Sequence, residues 1–440
     1  MTPLSERFPE IGRYAASELS RMRVIAAVAT TVLIGACFLS MACSPLGSKD
    51  ELFKGAILVQ ALVVLVYGTA RAAGAVRAER QEKTWDMQRL TPLSSFEIAF
   101  GKCIGAPLFS YFLAILMLPW AIVGVFVSNG AVSFTTLLGS QAFLAALTFL
   151  AVSSGLLVSS HTIERVSKPI AEVLGLFLGI FAITVFMGVV TTHSARSHVV
   201  YFDHDWSEFP WLTTSALLFG LWAFMGANWR IGRDLLEGGR IWRLPAFMAF
   251  LLLFQAGLLE ENYHAITLAA LVLVYAAALL NPEGHEQWRK WLSGKRFLSN
   301  DIPVAVATSL SYVLYAAFST EFLLLYWNPQ NNADWRMPLL LSLFLVRDCA
   351  ILQGFRFFKI RYPEAITMIF SGLSYALPIM VLKSLDADRF IYIFAPYPDD
   401  DVGVIRNILP SLLQALAMLS ILLLVIRKRF WAAASAGCKP

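Results

Sequence analysis

Residues 24–44 read VIAAVATTVLIGACFLSMACS, twenty-one positions without a charged side chain. A helix of this length rises about 30 Å, which matches the hydrocarbon core of a bilayer. The whole chain shares this character, because 58% of its residues are hydrophobic and only 15% are charged, against about 25% charged in a soluble domain. Backbone groups in lipid must be hydrogen-bonded within their own segment, so the run should be helical. We predict an all-α polytopic membrane protein.

Apolar runs of similar length recur along the rest of the chain. They predict twelve transmembrane helices, and an even number places both termini on the same side of the membrane. The predicted spans are residues 24–44, 53–76, 103–127, 135–159, 169–191, 211–228, 244–260, 264–280, 302–326, 338–355, 364–383 and 404–426.

The distribution of Lys and Arg predicts the orientation. With the N-terminus in the cytoplasm, 27 of the 35 basic residues fall in cytoplasmic segments, seven fall in outer segments and Arg347 lies within a span. Cytoplasmic loops of membrane proteins carry such an excess of positive charge. We therefore expect both termini in the cytoplasm. The net charge of +5 follows from the same bias and does not indicate binding to nucleic acid.

A short amphipathic segment precedes the first span. In residues 8–23, FPEIGRYAASELSRMR, apolar positions recur every three to five residues with charged positions between them. This spacing predicts a helix in the membrane interface, and a disordered cytoplasmic tail is the alternative. The predicted organisation is an interfacial helix in residues 1–23, a six-span unit in residues 24–243 and a second six-span unit, without an assigned role, in residues 244–440.

A long polar connection, EKTWDMQRLTPLSSFEIAFGK, joins the second and third predicted spans over residues 82–102. Ser94 followed three residues later by Glu97 predicts a capping box at a helix start. Leu93 and Ile98 flank the cap at the positions of a hydrophobic staple. We expect the helix that begins here to continue without a break into the third span.

The residues that lead into the connection and form its first half predict a second ordered helix. Residues 77–90, RAERQEKTWDMQRL, contain neither Pro nor Gly and read as a continuation of the second span. Pro92 disfavours helical conformation at Thr91, so the chain should bend there. The expected shape is two projecting helices joined by a rigid elbow.

Four large apolar side chains lie in this polar connection, at Trp85, Leu90, Leu93 and Phe96. Apolar anchors surrounded by charges are typical of a docking surface for a soluble partner. The alternative is that they pack against the protein's own helix ends.

The connection resembles the first cytoplasmic loop of ABC-2 type transporter permeases. That loop carries acidic residues, a Thr, a Leu-Thr-Pro-Leu/Val-Ser turn and a Glu-x-x-x-Gly-Lys ending. The segment departs from the pattern at Lys83, where the family often has Gly, and the family unit has six spans. The interfacial helix also matches the family's connecting helix, and the resemblance extends loosely over residues 8–243. The matching positions are Glu82, Thr84, Leu90, Thr91, Pro92, Leu93, Ser94, Glu97, Gly101 and Lys102.

The resemblance implies the permease subunit of an ATP-driven transporter in the bacterial inner (plasma) membrane, with export as the expected direction. In that family the loop, here residues 77–102, forms a coupling helix seated in a groove of a separate cytoplasmic ATPase. A homodimer or a pseudo-dimer of two halves would complete the permease. The implied partner-binding residues are Glu82, Thr84, Trp85, Arg89, Leu90, Thr91, Pro92, Leu93, Ser94, Phe96, Glu97 and Lys102.

The chain lacks a phosphate-binding loop of its own. That motif needs Gly-Lys followed by Ser or Thr, so that backbone amides hold phosphates and the hydroxyl holds Mg²⁺. Here the two Gly-Lys pairs, at residues 101–102 and 294–295, are followed by Cys103 and Arg296. We therefore expect no cofactor on this chain, no enzymatic activity of its own, and ATP with Mg²⁺ on the partner.

Two other functional classes remain as alternatives. Arg347 and Asp348 form an intramembrane charge site that a proton- or ion-coupled secondary transporter could use, or that could be paired structurally. A membrane-embedded enzyme is disfavoured, because the acids Glu260 and Glu261 lack the accompanying residues of an intramembrane metalloprotease. The acidic and His-containing loop at residues 192–210 has no recognised ligand spacing, so no metal site is predicted.

Overall fold

A computed structural model describes most of the chain. The described residues are 9–44, 50–130, 132–161, 168–192, 198–202, 204–235, 243–257, 288, 291, 306, 309–314, 336–358, 363–385, 388–394 and 404–436.

The described residues are mainly helical. Among them, one β-hairpin of two paired strands precedes the helix Glu208–Asp234. In chain order, the elements are α1 (Pro9–Glu18), α2 (Arg21–Ala42), α3 (Glu51–Ala61), a π-helical segment (Leu62–Gly68), α4 (Thr69–Gln81), α5 (Trp85–Arg89), α6 (Ser95–Gly105), α7 (Leu108–Val127), α8 (Phe134–His161), α9 (Lys168–Thr192), β1 (His198–Tyr201), β2 (His204–Ser207), α10 (Glu208–Asp234), α11 (Arg243–Ala256), α12 (Arg336–Phe357), α13 (Pro363–Ser384), a 3₁₀ helix (Asp388–Ile393) and α14 (Val404–Ala436).

Seven segments among the described residues are long and apolar enough to cross a bilayer. The protein is therefore an all-α, multi-pass membrane protein, as its composition predicts. Six of the seven correspond to the first six predicted spans, and the seventh to the last. Twelve spans remain a prediction, since residues 264–280 and most of 302–326 lie outside the described part. The seven segments are Arg21–Ala42, Glu51–Gln81, Leu108–Val127, Phe134–Ser160, Glu172–Val190, Glu208–Asp234 and Ile408–Lys428.

The chain divides into two compact units. The first comprises residues 1–200 and 204–239, and the second comprises residues 201–203 and 240–440. In the second unit, α12 packs against α14 and α13, and its buried cluster includes Phe357, Leu422 and Ile426.

The first unit is built around the second span, which consists of α3, the π-helical segment and α4. The apolar core on this span includes Ile57, Leu65 and, from α9, Phe186. Glycines allow α9 to approach closely: a Cβ added at Gly179 would lie 2.3 Å from the carbonyl oxygen of Leu65. Gly175 makes a similar approach one turn earlier, so the pair has the Gly-x-x-x-Gly spacing of closely packed membrane helices.

The third span does not continue the helix that starts at Ser94, so the prediction of an unbroken helix is wrong. The chain breaks at Ala106–Pro107, between α6 and α7. Pro107 has no N–H to donate to the carbonyl of Cys103 one turn earlier. The hydroxyl of Tyr111 donates to that carbonyl instead, at 3.2 Å, and so satisfies a backbone group that the break leaves without its helical partner.

Candidate functional site in the 82–102 segment

The 82–102 segment begins where α4 ends, and this end is a Schellman motif. Lys83 has a positive φ of 59°, its N–H donates to the carbonyl of Arg80, and the N–H of Thr84 donates to the carbonyl of Glu79 at 2.9 Å. The Thr84 hydroxyl also reaches the Glu79 carbonyl, at 3.3 Å. The predicted continuous helix over residues 77–90 is therefore wrong, because the chain reverses at a non-glycine residue in the left-handed region.

The elbow of the segment lies between α5 and α6. After α5 the hydroxyl of Thr91 donates to the carbonyl of Gln88 at 2.6 Å and closes the last turn. Pro92 and Thr91 are exposed and lie outside both helices. An exposed ion pair joins Arg89 to Asp86 across 3.6 Å. The bend predicted at Pro92 is present.

The start of α6 confirms the predicted capping box. The backbone N–H of Glu97 donates to the Ser94 hydroxyl, and the Glu97 carboxylate accepts from the Ser94 backbone N–H at 2.9 Å. A cap of this type stabilises a helix by about 1 kcal/mol. Leu93 packs against the buried cluster that contains Ile98, as expected of a hydrophobic staple.

Trp85 is buried, although it is one of the residues predicted to contact a partner. Only 6% of it is exposed, and it belongs to a cluster with Ile98 and Phe224. Two cations lie over its ring: the Arg80 guanidinium at 5.5 Å and the Lys102 ammonium at 5.7 Å from the ring centroid. Trp85 therefore holds the segment to its own helices in this conformation.

Lys102 lies at the centre of a buried ionic cluster. It has no solvent exposure. Its ammonium group contacts the Glu79 carboxylate and lies 3.7 Å from that of Glu10. The side-chain amide of Gln88 donates to both carboxylates, at 2.8 and 2.9 Å. Arg13 donates to Glu10 at 2.7 Å and also contacts Glu79. We refer to Glu10, Arg13, Glu79, Gln88 and Lys102 as the Lys102 cluster.

Two acids and two bases balance within the Lys102 cluster, and Arg13 is the member whose side chain reaches solvent, at 48% exposure. Burial lowers the pKa of Lys102, while Glu79 and Glu10 oppose that shift. Breaking such a buried pair costs about 3–5 kcal/mol, because the remaining charge has no adequate partner. The cluster therefore ties α1, α4, α5 and α6 together.

Two further ion-pair sets connect the same region. Arg80 at the end of α4 pairs with Asp234 at the end of α10. Glu18 at the end of α1 accepts from Arg71 at 2.6 Å and from Arg23 at 2.8 Å. The predicted N-terminal amphipathic helix is therefore present as α1, and Glu18 holds its end to α2 and α4.

The exposed tip of the segment is apolar. Leu90 is 88% exposed and Met87 is 70% exposed. Phe96 is half-exposed, and its ring packs against Phe100 and Phe224. The implied partner-binding residues thus separate into exposed (Glu82, Arg89, Leu90, Thr91, Pro92, Ser94 and Phe96), intermediate (Thr84, Leu93 and Glu97) and buried (Trp85 and Lys102).

The second predicted site, Arg347 with Asp348, lies in α12 of the second unit and is buried. Adjacent residues on a helix normally diverge, and we expected partners on other helices. The two side chains contact each other at 2.9 Å, and each also has a partner elsewhere. The Asp348 carboxylate accepts from the Tyr375 hydroxyl at 2.8 Å, and Arg347 donates to the Gln414 side chain at 2.8 Å. This network joins α12, α13 and α14.

The sequence analysis did not identify Glu10, Arg13, Glu79 or Gln88 as part of the site. The available signal was the Gly-Lys ending, because a Lys in the last turn of a mainly apolar helix next to a span needs an acidic partner. Glu10 and Glu79 are 92 and 23 positions away from Lys102, so spacing alone could not select them.

No protein-family model matches the chain, and no curated protein or solved structure matches it significantly.

Proposed function

We propose that this chain is the membrane subunit of an ATP-driven transporter of the ABC-2 type. A separate ATPase would bind ATP and Mg²⁺ on the cytoplasmic side and move the 82–102 segment. The resemblance of that segment to the first cytoplasmic loop of these permeases supports the proposal, and export is the proposed direction. The chain itself would supply the transmembrane path and no catalytic residue.

The observation that carries the proposal is the contrast between the two ends of the segment. Its base is fixed by Trp85 and the Lys102 cluster, whereas at its tip Met87 is 70% exposed and Leu90 is 88% exposed. Exposed apolar side chains on a firmly held, polar elbow have the composition of a contact centre with a charged rim. A held base is also what mechanical coupling requires, because a slack loop would absorb a displacement.

Site-specific crosslinking tests the proposed contact. A photoreactive amino acid at position 90 of the full chain, expressed in cells with its native operon, should crosslink to a soluble protein that contains a phosphate-loop motif. The same group at Phe358, which is 57% exposed just after α12 in a predicted cytoplasmic segment, is the matched control and should not capture that protein.

Substitution gives a second readout of the same contact. Leu90→Asp should reduce co-purification of the ATPase at least tenfold, whereas Phe358→Asp should leave it unchanged. The proposal fails if no ATPase is captured at position 90, or if Leu90→Asp and Phe358→Asp have equal effects. Thermal melting of both variants distinguishes loss of contact from loss of folding.

The alternative, a proton-coupled secondary transporter, would rely on Asp348. The pairing of Asp348 with Arg347 and Tyr375 is the arrangement of a structural ion pair. Under the ATP-driven proposal, Asp348→Asn leaves transport dependent on ATP and insensitive to the proton gradient. Under the alternative, the same substitution abolishes transport, and depletion of ATP with the gradient maintained does not.

A further inference from the structure

The first unit contains a cavity of about 630 Å³. This volume is within the range of small-molecule binding sites. Its lining comes from the second span and from α6, α7, α8 and α10. None of the described residues that line it carries a charged side chain. A charged ligand would lose its hydration there without gaining an ionic partner, so the cavity suits an uncharged ligand.

The mouth of the cavity is apolar and opens at the solvent-accessible surface of the first unit. Ile115 is 66% exposed, Phe96 and Leu221 are each 49% exposed, and all three line the cavity. Ile115 and Leu221 belong to spans, so their exposed surfaces face the acyl chains of a bilayer. A molecule can therefore enter from the membrane without crossing water.

The interior includes a small polar group of side chains, formed by Gln60, Gln141 and Thr148. The Gln60 side chain donates to the carbonyl of Ala114 at 2.9 Å and accepts from the Gln141 amide at 2.8 Å. Thr148 is 6% exposed, and its hydroxyl has no hydrogen-bond partner in the described part of the chain. A buried hydroxyl left without a partner costs about 1–3 kcal/mol, and a ligand can recover that cost.

Thr148, like Thr69, differs in this respect from three other helical threonines of the first unit. Thr31, Thr184 and Thr214 each donate to the carbonyl of the residue four positions earlier, at 2.6–3.0 Å. Thr148 forgoes this common bond within its own helix. Its hydroxyl is therefore available to a molecule in the cavity.

The backbone around the cavity is irregular in two places. Val64, which lines the cavity, lies in the π-helical segment, and such segments in helices frequently mark functional sites. Tyr111 and Cys103 line the opposite break, where Tyr111 replaces the missing Pro107 donor.

We propose that this cavity binds an uncharged amphiphile from the bilayer. A single hydrocarbon chain would occupy the apolar part, and a hydroxyl, ester or amide end would bond to Thr148 and the Gln60–Gln141 pair. Binding does not require an ATPase, so the proposal is separate from the transport function and has a separate test.

Photolabelling of the purified full chain in nanodiscs tests the proposal. The probe is a monoacylglycerol with a diazirine in its acyl chain, and mass spectrometry locates the label. We expect saturable labelling within residues 111–118 or 141–149, displaced by unlabelled monoacylglycerol. An alkyl sulfonate with the same chain and diazirine, which stays ionised, should label these residues at least tenfold less, because its charge has no ionic partner in the cavity.

Two substitutions address the two parts of the site. Ala145→Trp places a large ring in the cavity and should abolish the specific labelling. Ala142→Trp, at an exposed position on the same helix outside the cavity lining, is its control. Thr148→Val keeps the side-chain shape and should reduce apparent affinity about five- to tenfold. Thr184→Val, at an exposed hydroxyl already bonded to Ile180, should leave affinity unchanged.

Thr148→Val also has a readout that separates binding from folding. It removes an unpartnered buried hydroxyl, so the ligand-free protein should melt at the same or a higher temperature than the wild type. The proposal is overturned if labelling is not saturable, if Ala145→Trp labels like the wild type, or if the alkyl sulfonate labels as strongly as the monoacylglycerol.

Discussion

Lys102 and Glu79 form an ion pair that is closed to solvent, and they lie on either side of the whole elbow. Glu79 precedes the left-handed turn at Lys83, and Lys102 follows the capping box. The pair therefore fixes both ends of the exposed tip relative to each other. Neither α4 nor α6 alone determines where Leu90 lies.

The Lys102–Glu79 pair should show strong energetic coupling. Lys102→Met leaves Glu79 and Glu10 buried with Gln88 and with Arg13 as the only cation of the cluster, and we expect a loss of about 3–5 kcal/mol in the free energy of unfolding. Glu79→Leu combined with Lys102→Met removes both charges and should be less damaging than the sum of the single changes. Denaturation in detergent micelles provides the measurement.

The exposed Asp86–Arg89 pair is the control for this cycle. Its removal should change the free energy of unfolding by less than about 0.5 kcal/mol, because solvent screens the charges. Additive losses for Glu79 and Lys102 would show that the two residues do not act as a pair.

Lys83→Gly should stabilise the protein. A non-glycine residue in the left-handed region costs about 1 kcal/mol, and Gly removes that cost at the end of α4. Glu82→Gly is the matched control, because Glu82 has a φ of −78° and gains nothing from Gly. We expect a higher melting temperature for Lys83→Gly and a lower one for Glu82→Gly. The opposite order would contradict the assigned turn.

Substitution of Trp85 should lower the stability of the protein, whereas substitution of Met87 should weaken only the binding of the proposed partner. Trp85→Ala empties a buried site and should cost about 3–5 kcal/mol. Met87→Ala, at a 70% exposed position, should change stability by less than about 0.5 kcal/mol and still weaken binding of the proposed ATPase. Melting curves and co-purification measured on the same preparations separate the two effects.

Gly179→Ala should destabilise the first unit by about 1–3 kcal/mol. The new methyl group would lie 2.3 Å from the Leu65 carbonyl oxygen, so α9 would have to move away from the second span. Gly188→Ala in the same helix is the control, since a Cβ there meets nothing within 4 Å. Helix propensity predicts a gain of about 1 kcal/mol for the control. Equal effects of the two changes on melting temperature would refute the close approach.

Local signals in the sequence were sufficient for much of this structure. Apolar run length located the first six spans, and the i,i+3 relation of Ser94 to Glu97 identified the capping box. These features depend on residues within one or two turns of each other. The bend at Pro92 is local in the same sense, because the proline ring restricts the residue before it.

Features that depend on distant residues were not predicted. Trp85 and Lys102 carry no local mark of burial, because their partners come from α1, α4 and α10.

Two local features were also missed. The end of α4 was missed because the left-handed position holds Lys83 instead of the usual Gly. The break before the third span was missed because Pro107 lies in an apolar run, where length suggested an unbroken helix.

The positions of the Lys102 cluster's members along the chain determine when the cluster can form during synthesis. Glu10 and Arg13 leave the ribosome first, while Lys102 is added only after the first two spans are complete. Throughout that interval α1 lacks the ammonium group that completes the cluster. Closure of the cluster therefore waits for residue 102 of 440, and the N-terminal helix reaches its final position only after the second span is available.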